Sequence, residues 1–540
     1  MEESIREHLA EIALLIYILY PLLKRFWDSR KKKQEKRGRP PEATTASTSP
    51  RPGEATPSPS GPAPKQKPKP EPAVVAKRPT AGDFLAAAQA ELDRLRQESS
   101  RLLTRARHHP RLTRFIPALQ EDLLDRLDPI DHSLRSSPSL STILQETTVL
   151  RGLESLLQNL KRMVQQRSHG GASILDTADT IADACYAPLL DFASTQRLAL
   201  RTSQPVAVTG DWDRSMVPHF ATTRVAPVRL PVGFEQSLWR WPGIAQEVAR
   251  DFYYSLERLE PELRAGLGLP LEVALPRSSA EVDGPWLRRL FGAWLAEVFA
   301  DAMGTLMLGP AYVEAMRRTL RNPSSPQRTA AILQDQGRID GHPPARLRLY
   351  IATRVLDHVG RHQEAETLWA QWEAEHGDAR LYYLPVGGQW AGLSDEALHS
   401  ITDSIVDGLL QSGWPELDGF QFLNIPGLAY LHAEHAEVER LLIALSRGDT
   451  VRADARWITA AAVLAAAAQP TLHDAILDAA MRSIVGIRKR TEPSARPDRP
   501  RRRLATIGES LVTSLRQRDA IEEAILLGAA LKPYQPPRWR

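Results

Sequence analysis

The sequence predicts a mainly α-helical protein of the α+β kind, with a single N-terminal transmembrane helix, a disordered Pro-rich tether and a large helical body around a small β element. Three observations predict it. From residue 80 onward, long stretches such as "AGDFLAAAQAELDRLRQESSRLL" repeat their apolar residues at helical spacing. These stretches are interrupted by "PVAVTGDWDRS" and "HFATTRVAPVRLPVGFEQSLW", which are β-branched, alternating and broken by Gly and Pro. The first eighty residues hold one apolar run and then a long stretch unable to build a core.

A chain of 540 residues, 42% apolar and 25% charged, has room for two or three domains or one large helical domain with appendages. Its formal net charge of +4 selects no partner; the clustering of the basic residues says more than their sum. Cys185 is the lone cysteine, so an intramolecular disulfide and a cysteine-built zinc cage are both excluded, and a reducing compartment fits. Within "DTADTIADACYAPLLDF" it reads as a small buried side chain on a helix.

"LAEIALLIYILYPLLKRFW", residues 9–27, reaches spanning length only when its continuous apolar core, Ile12 to Leu23, is extended at both ends, since a spanning helix needs about 20 residues. No small-residue cleavage site follows it, and a basic run does, so the segment reads as a membrane anchor within residues 1–28. Glu2, Glu3, Arg6 and Glu7 precede the run; Lys24, Arg25 and "RKKKQEKRGR" follow it. The positive-inside rule then puts the N-terminus outside and the body in the cytoplasm. The basic residues Arg30, Lys31, Lys32, Lys33, Lys36, Arg37 and Arg39 are candidates for contact with anionic lipid or another polyanion. Arg37-Gly38-Arg39-Pro40 also has the core of a minor-groove arginine hook, but the adjacent apolar segment favours lipid over nucleic acid. Residues 29–79 complete this collar with a tether. Its part from Pro40 to Pro79 holds 12 of the 42 prolines, too many for a packed core, and reads as a semi-extended spacer.

The body opens with a helical subdomain over residues 80–202, in which Asp83 is a candidate cap. No heptad survives three repeats, so packed helices are expected there rather than a long coiled coil. Two or three short strands follow, and then a helix from about Pro242 whose apolar face is Ile244, Val248 and Phe252. "PWLRRLFGAWLAEVFADAMGTLMLGPAYVEAMRRTL" reads as the next helix. "DGHPPARLRLYIATRVL" starts another behind two prolines. Together with "DHVGRHQEAETLWAQWEAEHGD" that helix reads as a helical hairpin, and helix is expected almost throughout residues 361–540. "RKRTEPSARPDRPRRR", residues 488–503, reads as a basic loop.

Two spacings carry chemistry. In "GIAQEVARDFYYS" the residues Gln246-Glu247-Val248-Ala249-Arg250 occupy the frame H-E-x-x-H without its histidines. About fifty residues on, Glu297 and Asp301 stand four apart, on one face of a helix. With "GHPPARLRL" these stretches resemble the gluzincin class of zinc metallopeptidases, and within it uncharacterised bacterial proteins that carry a His-Pro-Pro element and a following arginine, here Arg346 or Arg348. The resemblance covers about residues 205–360 and implies a metallopeptidase-like core over residues 203–360. Glu247 matches the general base, Glu297 the third metal ligand and Asp301 the carboxylate that orients a ligand. Gln246 and Arg250 stand at the two histidine positions, and a guanidinium has no lone pair to give a metal.

The expectation is therefore a vestigial Glu247, no catalytic residue, no cofactor and an arginine in place of the ion, with Arg250 paired to Glu297 and Gln246 hydrogen-bonded to Asp301. The resulting function is a membrane-anchored, inactive metallopeptidase-like protein that binds or scaffolds an unidentified protein partner on the cytoplasmic face. One alternative is a metal-dependent hydrolase using Glu247, Glu297, Asp301 and His342. Another is a membrane-tethered DNA or polyanion binder. His432 and His435 share a helix face, but two ligands make no site. There is no G-x-S-x-G, P-loop or G-x-G-x-x-G to suggest other chemistry.

Overall fold

The computed structural model describes residues 80–488, apart from short stretches between elements, the longest of them 210–223. The expected anchor at 9–27, the basic residues Arg30 to Arg39, the tether and nearly all of the 488–503 loop lie outside the described residues.

Helix α1 (Ala81–Arg107) starts on a capping box in which Thr80 is the N-cap. The Thr80 backbone N–H donates to the Asp83 carboxylate at 2.7 Å, and the Asp83 N–H donates to the Thr80 hydroxyl at 3.3 Å. Asp83 is thus the third residue of the box rather than the cap. The short helices α2 (Ile116–Gln120) and α3 (Leu127–Arg135) lead to the long α4 (Leu140–Ser168), which lies against α1. Leu92, Leu95, Leu102, Leu150, Leu157 and Leu160 are among the side chains of this first core.

Helix α5 (Ala172–Gln196) runs into strands β1 (Gln204–Thr209) and β2 (Val225–Leu230), which pair in parallel from Gln204↔Val225 to Thr209↔Leu230. The two-residue period of the strands divides their side chains between two cores. Val206, Val208 and Val225 belong to the first core; Ala207, Val228 and Leu230 belong to the second. The sheet is therefore a wall, with α5 against β1 and α6 (Gly243–Ser255) against β2.

The second core draws on α5 and on most of the described elements after β2. Helix α7 (Leu259–Gly266) precedes α8 (Gly284–Leu308), whose N-cap Asp283 accepts from the Trp286 N–H at 2.8 Å. The expected single helix across residues 285–320 breaks at Gly309, with φ +57°, and resumes as α9 (Pro310–Leu320). A Cβ at Gly309 would lie 2.4 Å from the Tyr430 ring, so the break is fixed by packing as well as by backbone conformation. Among the described residues α8 alone is long and apolar enough to cross a membrane, yet 89% of its most apolar window is buried against the rest of the fold, as in a core helix.

The one-turn helix α10 (Pro326–Thr329) and a minimal pair, β3 (Gln334–Asp335) and β4 (Arg338–Ile339), precede α11 (Ala345–His358), which starts directly after Pro344. Helix α12 (His362–His376) folds back on α11 around Gly360, giving the expected hairpin. The C-terminal region departs from pure helix in the antiparallel pair β5 (Leu381–Val386) and β6 (Gln389–Ser394). The Tyr-rich "LYYLPV" before Gly387-Gly388 carries that hairpin signal in the sequence. Among the described residues four further α-helices follow: α13 (Asp395–Gln411), α14 (His432–Ser446), α15 (Ala455–Ala468) and α16 (His473–Arg488).

The protein is mainly helical with small sheets. Helix α5 leaves the N-terminal core for the second one, and α11 and α12 share that core with α13 to α16. Burial of α5 by the strands and by α6 outweighs its place in the sequence.

Candidate functional site: an arginine–carboxylate cluster on three helices

Helices α6 and α8 cross with their small and apolar faces together: Ile244, Ala245, Val248, Ala249 and Phe252 on α6, and residues around nearly the whole circumference of α8. The four-residue spacings then bring Gln246 and Arg250 of α6 opposite Glu297 of α8, while Asp301 lies one turn further along α8. Helix α11 packs on the other side of α8 and delivers Arg348.

Arg250 is a fork across two carboxylates. Its Nη2 donates to Glu297 Oε1 at 2.7 Å, and its Nη1 donates to Glu247 Oε1. The second oxygen of each acid is also engaged: Gln246 Nε2 donates to Glu297 Oε2 at 3.2 Å, and Arg229 Nε of β2 donates to Glu247 Oε2 at 3.1 Å. Asp301, fully buried, is held by three donors: Arg348 Nε at 2.7 Å, Arg348 Nη2 at 2.8 Å and the Tyr312 hydroxyl at 2.9 Å. Three guanidiniums, Arg229, Arg250 and Arg348, thus face three carboxylates, Glu247, Glu297 and Asp301.

The electrostatics favour the charged forms of Glu297, Arg250 and Arg348. Burial acts to raise the Glu297 carboxyl, but Arg250, Arg348 and His342 outweigh it and hold the group below its ordinary value. Burial opposes the charge on Arg250, and Glu247 and Glu297 more than restore it; Asp301 does the same for Arg348. Burial, then the Asp301 charge, push the Tyr312 hydroxyl well up, so it stays protonated and donating.

One half of the expected arrangement is present and the other is not. Arg250 pairs with Glu297, but it bridges two acids rather than gripping one with both nitrogens. Gln246 donates to Glu297 and not to Asp301, because Asp301 is saturated by Arg348 and Tyr312. Of the two candidate arginines, Arg348 reaches the cluster. Arg346 turns away to Asp395, at 2.5 Å, and lies over the Trp369 ring. Arg229 and Tyr312 escaped the sequence reading. An arginine set in the apolar strand "VAPVRL" was the available signal for the first; nothing in the sequence marked the second.

The zinc ion that the resemblance implies does not fit these residues. A guanidinium occupies the position of one ligand, and every carboxylate oxygen of Glu247, Glu297 and Asp301 already accepts from an arginine, the Gln246 amide or the Tyr312 hydroxyl. His342 places Nδ1 2.9 Å from Asp340 Oδ1 and Nε2 3.8 Å from Glu297 Oε1, at the margin of the cluster. Among the described residues no group of three or more His, Cys, Asp or Glu is arranged to hold a metal ion. His435 lies 3.2 Å from the Tyr430 hydroxyl and 3.3 Å from Glu439. Cys185 is buried on α5, and burial pushes its thiol up to about 12.

In comparisons with known proteins, the chain matches no family model, no curated protein and no solved structure.

Proposed function

We propose that this chain is a membrane-anchored, catalytically inactive metallopeptidase-like protein that serves as a binding or scaffold module on the cytoplasmic face. The observation that carries this reading is the Arg250 guanidinium between Glu247 and Glu297. Hydrolysis at such a centre requires an open metal position with a water on it and a carboxylate free to take its proton. Here the side chain in the ligand position is a permanent cation, and the carboxylate in the base position accepts from two arginines. The cluster's chemistry is cohesive: it joins α6, α8, α11 and β2. What remains for function is the body's surface, carried by the tether and the apolar segment at residues 9–27.

The test is metal content by elemental mass spectrometry on untagged protein, natural and Gln246→His/Arg250→His. The expected result is no stoichiometric metal in the natural protein and about one zinc per chain in the double variant, because two imidazoles and Glu297 restore a three-ligand set. Stoichiometric metal in the natural protein would overturn the inactive reading. A metal-free double variant would remove the metallopeptidase likeness and leave the cluster as an ordinary ion-pair network.

A further inference from the structure

Charge is distributed unevenly along α1. In its middle every described arginine is matched: Arg94 with Glu91, Glu98 and Glu154, and Arg96 with Asp128 and Asp131. Lys161 of α4 is matched with Glu98. Beyond Glu98 the acids stop. Residues 99–120 contain five arginines, two histidines and no Asp or Glu. Arg101, Arg105 and Arg107 are exposed, and none of them forms an ion pair with another described residue. The spacing 101, 105 and 108 runs along one face, with Leu102, Leu103 and Ala106 turned into the core on the other. Arg162, next to Lys161 on the neighbouring helix, is exposed and unpaired as well. The helix dipole favours cations only within the last turn; it accounts for Arg105 and Arg107, not for Arg101 or Arg162.

We infer that this end of the N-terminal helical core is a docking surface for an anionic bilayer. Its chemistry is a dense set of uncompensated guanidiniums, suited to phosphate-bearing headgroups. The one Phe, Tyr or Trp within it, Phe115, is fully buried, so the patch offers no large aromatic ring of the kind on which single-stranded nucleic acid stacks. Choosing lipid as the source of the phosphates rests on the membrane-anchored reading above. Helix α1 is about 40 Å long for its 27 residues, so the basic end lies about that far from residue 80, where the described body begins. The body would then touch the bilayer at a second point, and anchoring raises the local lipid concentration enough for a weak patch to act.

The experiment uses the full chain carrying Thr104→Cys, an exposed position on this face, labelled with a fluorophore. Cys185 is buried and stays unlabelled. Energy transfer to a headgroup acceptor is measured in vesicles of phosphatidylcholine alone and with about a third phosphatidylserine, and flotation is recorded in parallel. The expected result is transfer that rises with phosphatidylserine and falls with salt. Arg101→Glu/Arg105→Glu/Arg107→Glu should lower the docking equilibrium by at least about a hundredfold, the loss of three attractive charges alone, while Arg151→Glu, an exposed cation elsewhere on α4 with no ion pair among the described residues, leaves it unchanged. If the chain floats with neutral vesicles but transfer ignores both phosphatidylserine and the triple reversal, the anchor stands and the docking surface is refuted. Flotation with anionic vesicles alone, with transfer abolished by the triple reversal, keeps the docking surface and refutes the spanning anchor. Salt-sensitive binding of duplex DNA, lost in the triple variant, with no lipid-dependent transfer, overturns the lipid assignment in favour of nucleic acid.

Discussion

Replacing Arg250 with methionine tests whether the cluster is a structural clamp. Arg250 and Glu297 side chains are 13% and 10% exposed, so the substitution strands a carboxylate with little access to water. Removing one partner of a buried pair costs about 3–5 kcal/mol. Glu297 keeps the Gln246 amide at 3.2 Å and the field of Arg348, and Glu247 keeps Arg229, which reduces the expected loss to about 2–3 kcal/mol. The readout is urea unfolding followed by the fluorescence of Trp241 and Trp294, both buried in this core. The cost should depend on pH. Glu297 in the folded protein lies below its ordinary 4.5, so its contribution is present above that value and is lost as the pH falls through the folded one. Without Arg250 the carboxyl titrates higher, and the gap between variant and natural protein narrows on acidification. The double variant Arg250→Met/Glu297→Gln removes both charges and should recover to within about 1 kcal/mol of the natural protein. A single variant costing under about 0.5 kcal/mol, or a double variant no better than the single, would refute the clamp.

Three further outcomes follow from the packing. Gly304→Ala puts a Cβ 2.4 Å from the ring of Tyr312, whose hydroxyl holds Asp301; a loss of about 1–3 kcal/mol is expected, checked by thermal unfolding against Tyr312→Phe. His399 stacks on Tyr350 at 3.6 Å and lies 3.2 Å from the Tyr382 hydroxyl, and burial lowers it to about 4. The unfolded chain therefore binds more protons than the folded one between about pH 4 and 6.5, so stability falls on acidification across that window, and His399→Gln should flatten the fall in a pH series of unfolding curves. Cys185, raised to about 12 by burial, should be inert to a thiol reagent at pH 8 in the native protein and react fully in urea; rapid native reaction would contradict its burial.

The helices were legible where periodicity and end signals agreed. Pro242 before α6 and Pro343-Pro344 before α11 each mark a start, because a missing N–H settles the first turn locally. The pairing of Arg250 with Glu297 was legible for a different reason: two fixed spacings on two helices leave few ways to satisfy a buried charge. What depended on a third element was not. The destination of Gln246 turned on Arg348 and Tyr312 filling Asp301, and nothing local to "AQEVAR" encodes that. The break at Gly309 turned on Tyr430, more than a hundred residues away, and the core boundary turned on α5 choosing the sheet over its own neighbours. These are tertiary choices between locally equal options.

The cluster also bears on why a fold with three acids in its interior wall holds together. Glu247, Glu297 and Asp301 would repel one another if ionised without compensation, and proton uptake would be the cheap way out. A divalent ion could compensate them, but its binding free energy becomes part of folding, so stability would follow the supply of metal. Arg229, Arg250 and Arg348 compensate them with covalently attached cations whose charge persists at any working pH. The guanidinium also reaches two acids at once, as Arg250 does, where a lysine would present a single point charge. Cohesion of α6, α8 and α11 thereby becomes independent of any diffusible ligand. That independence suits a body proposed to act through its surface.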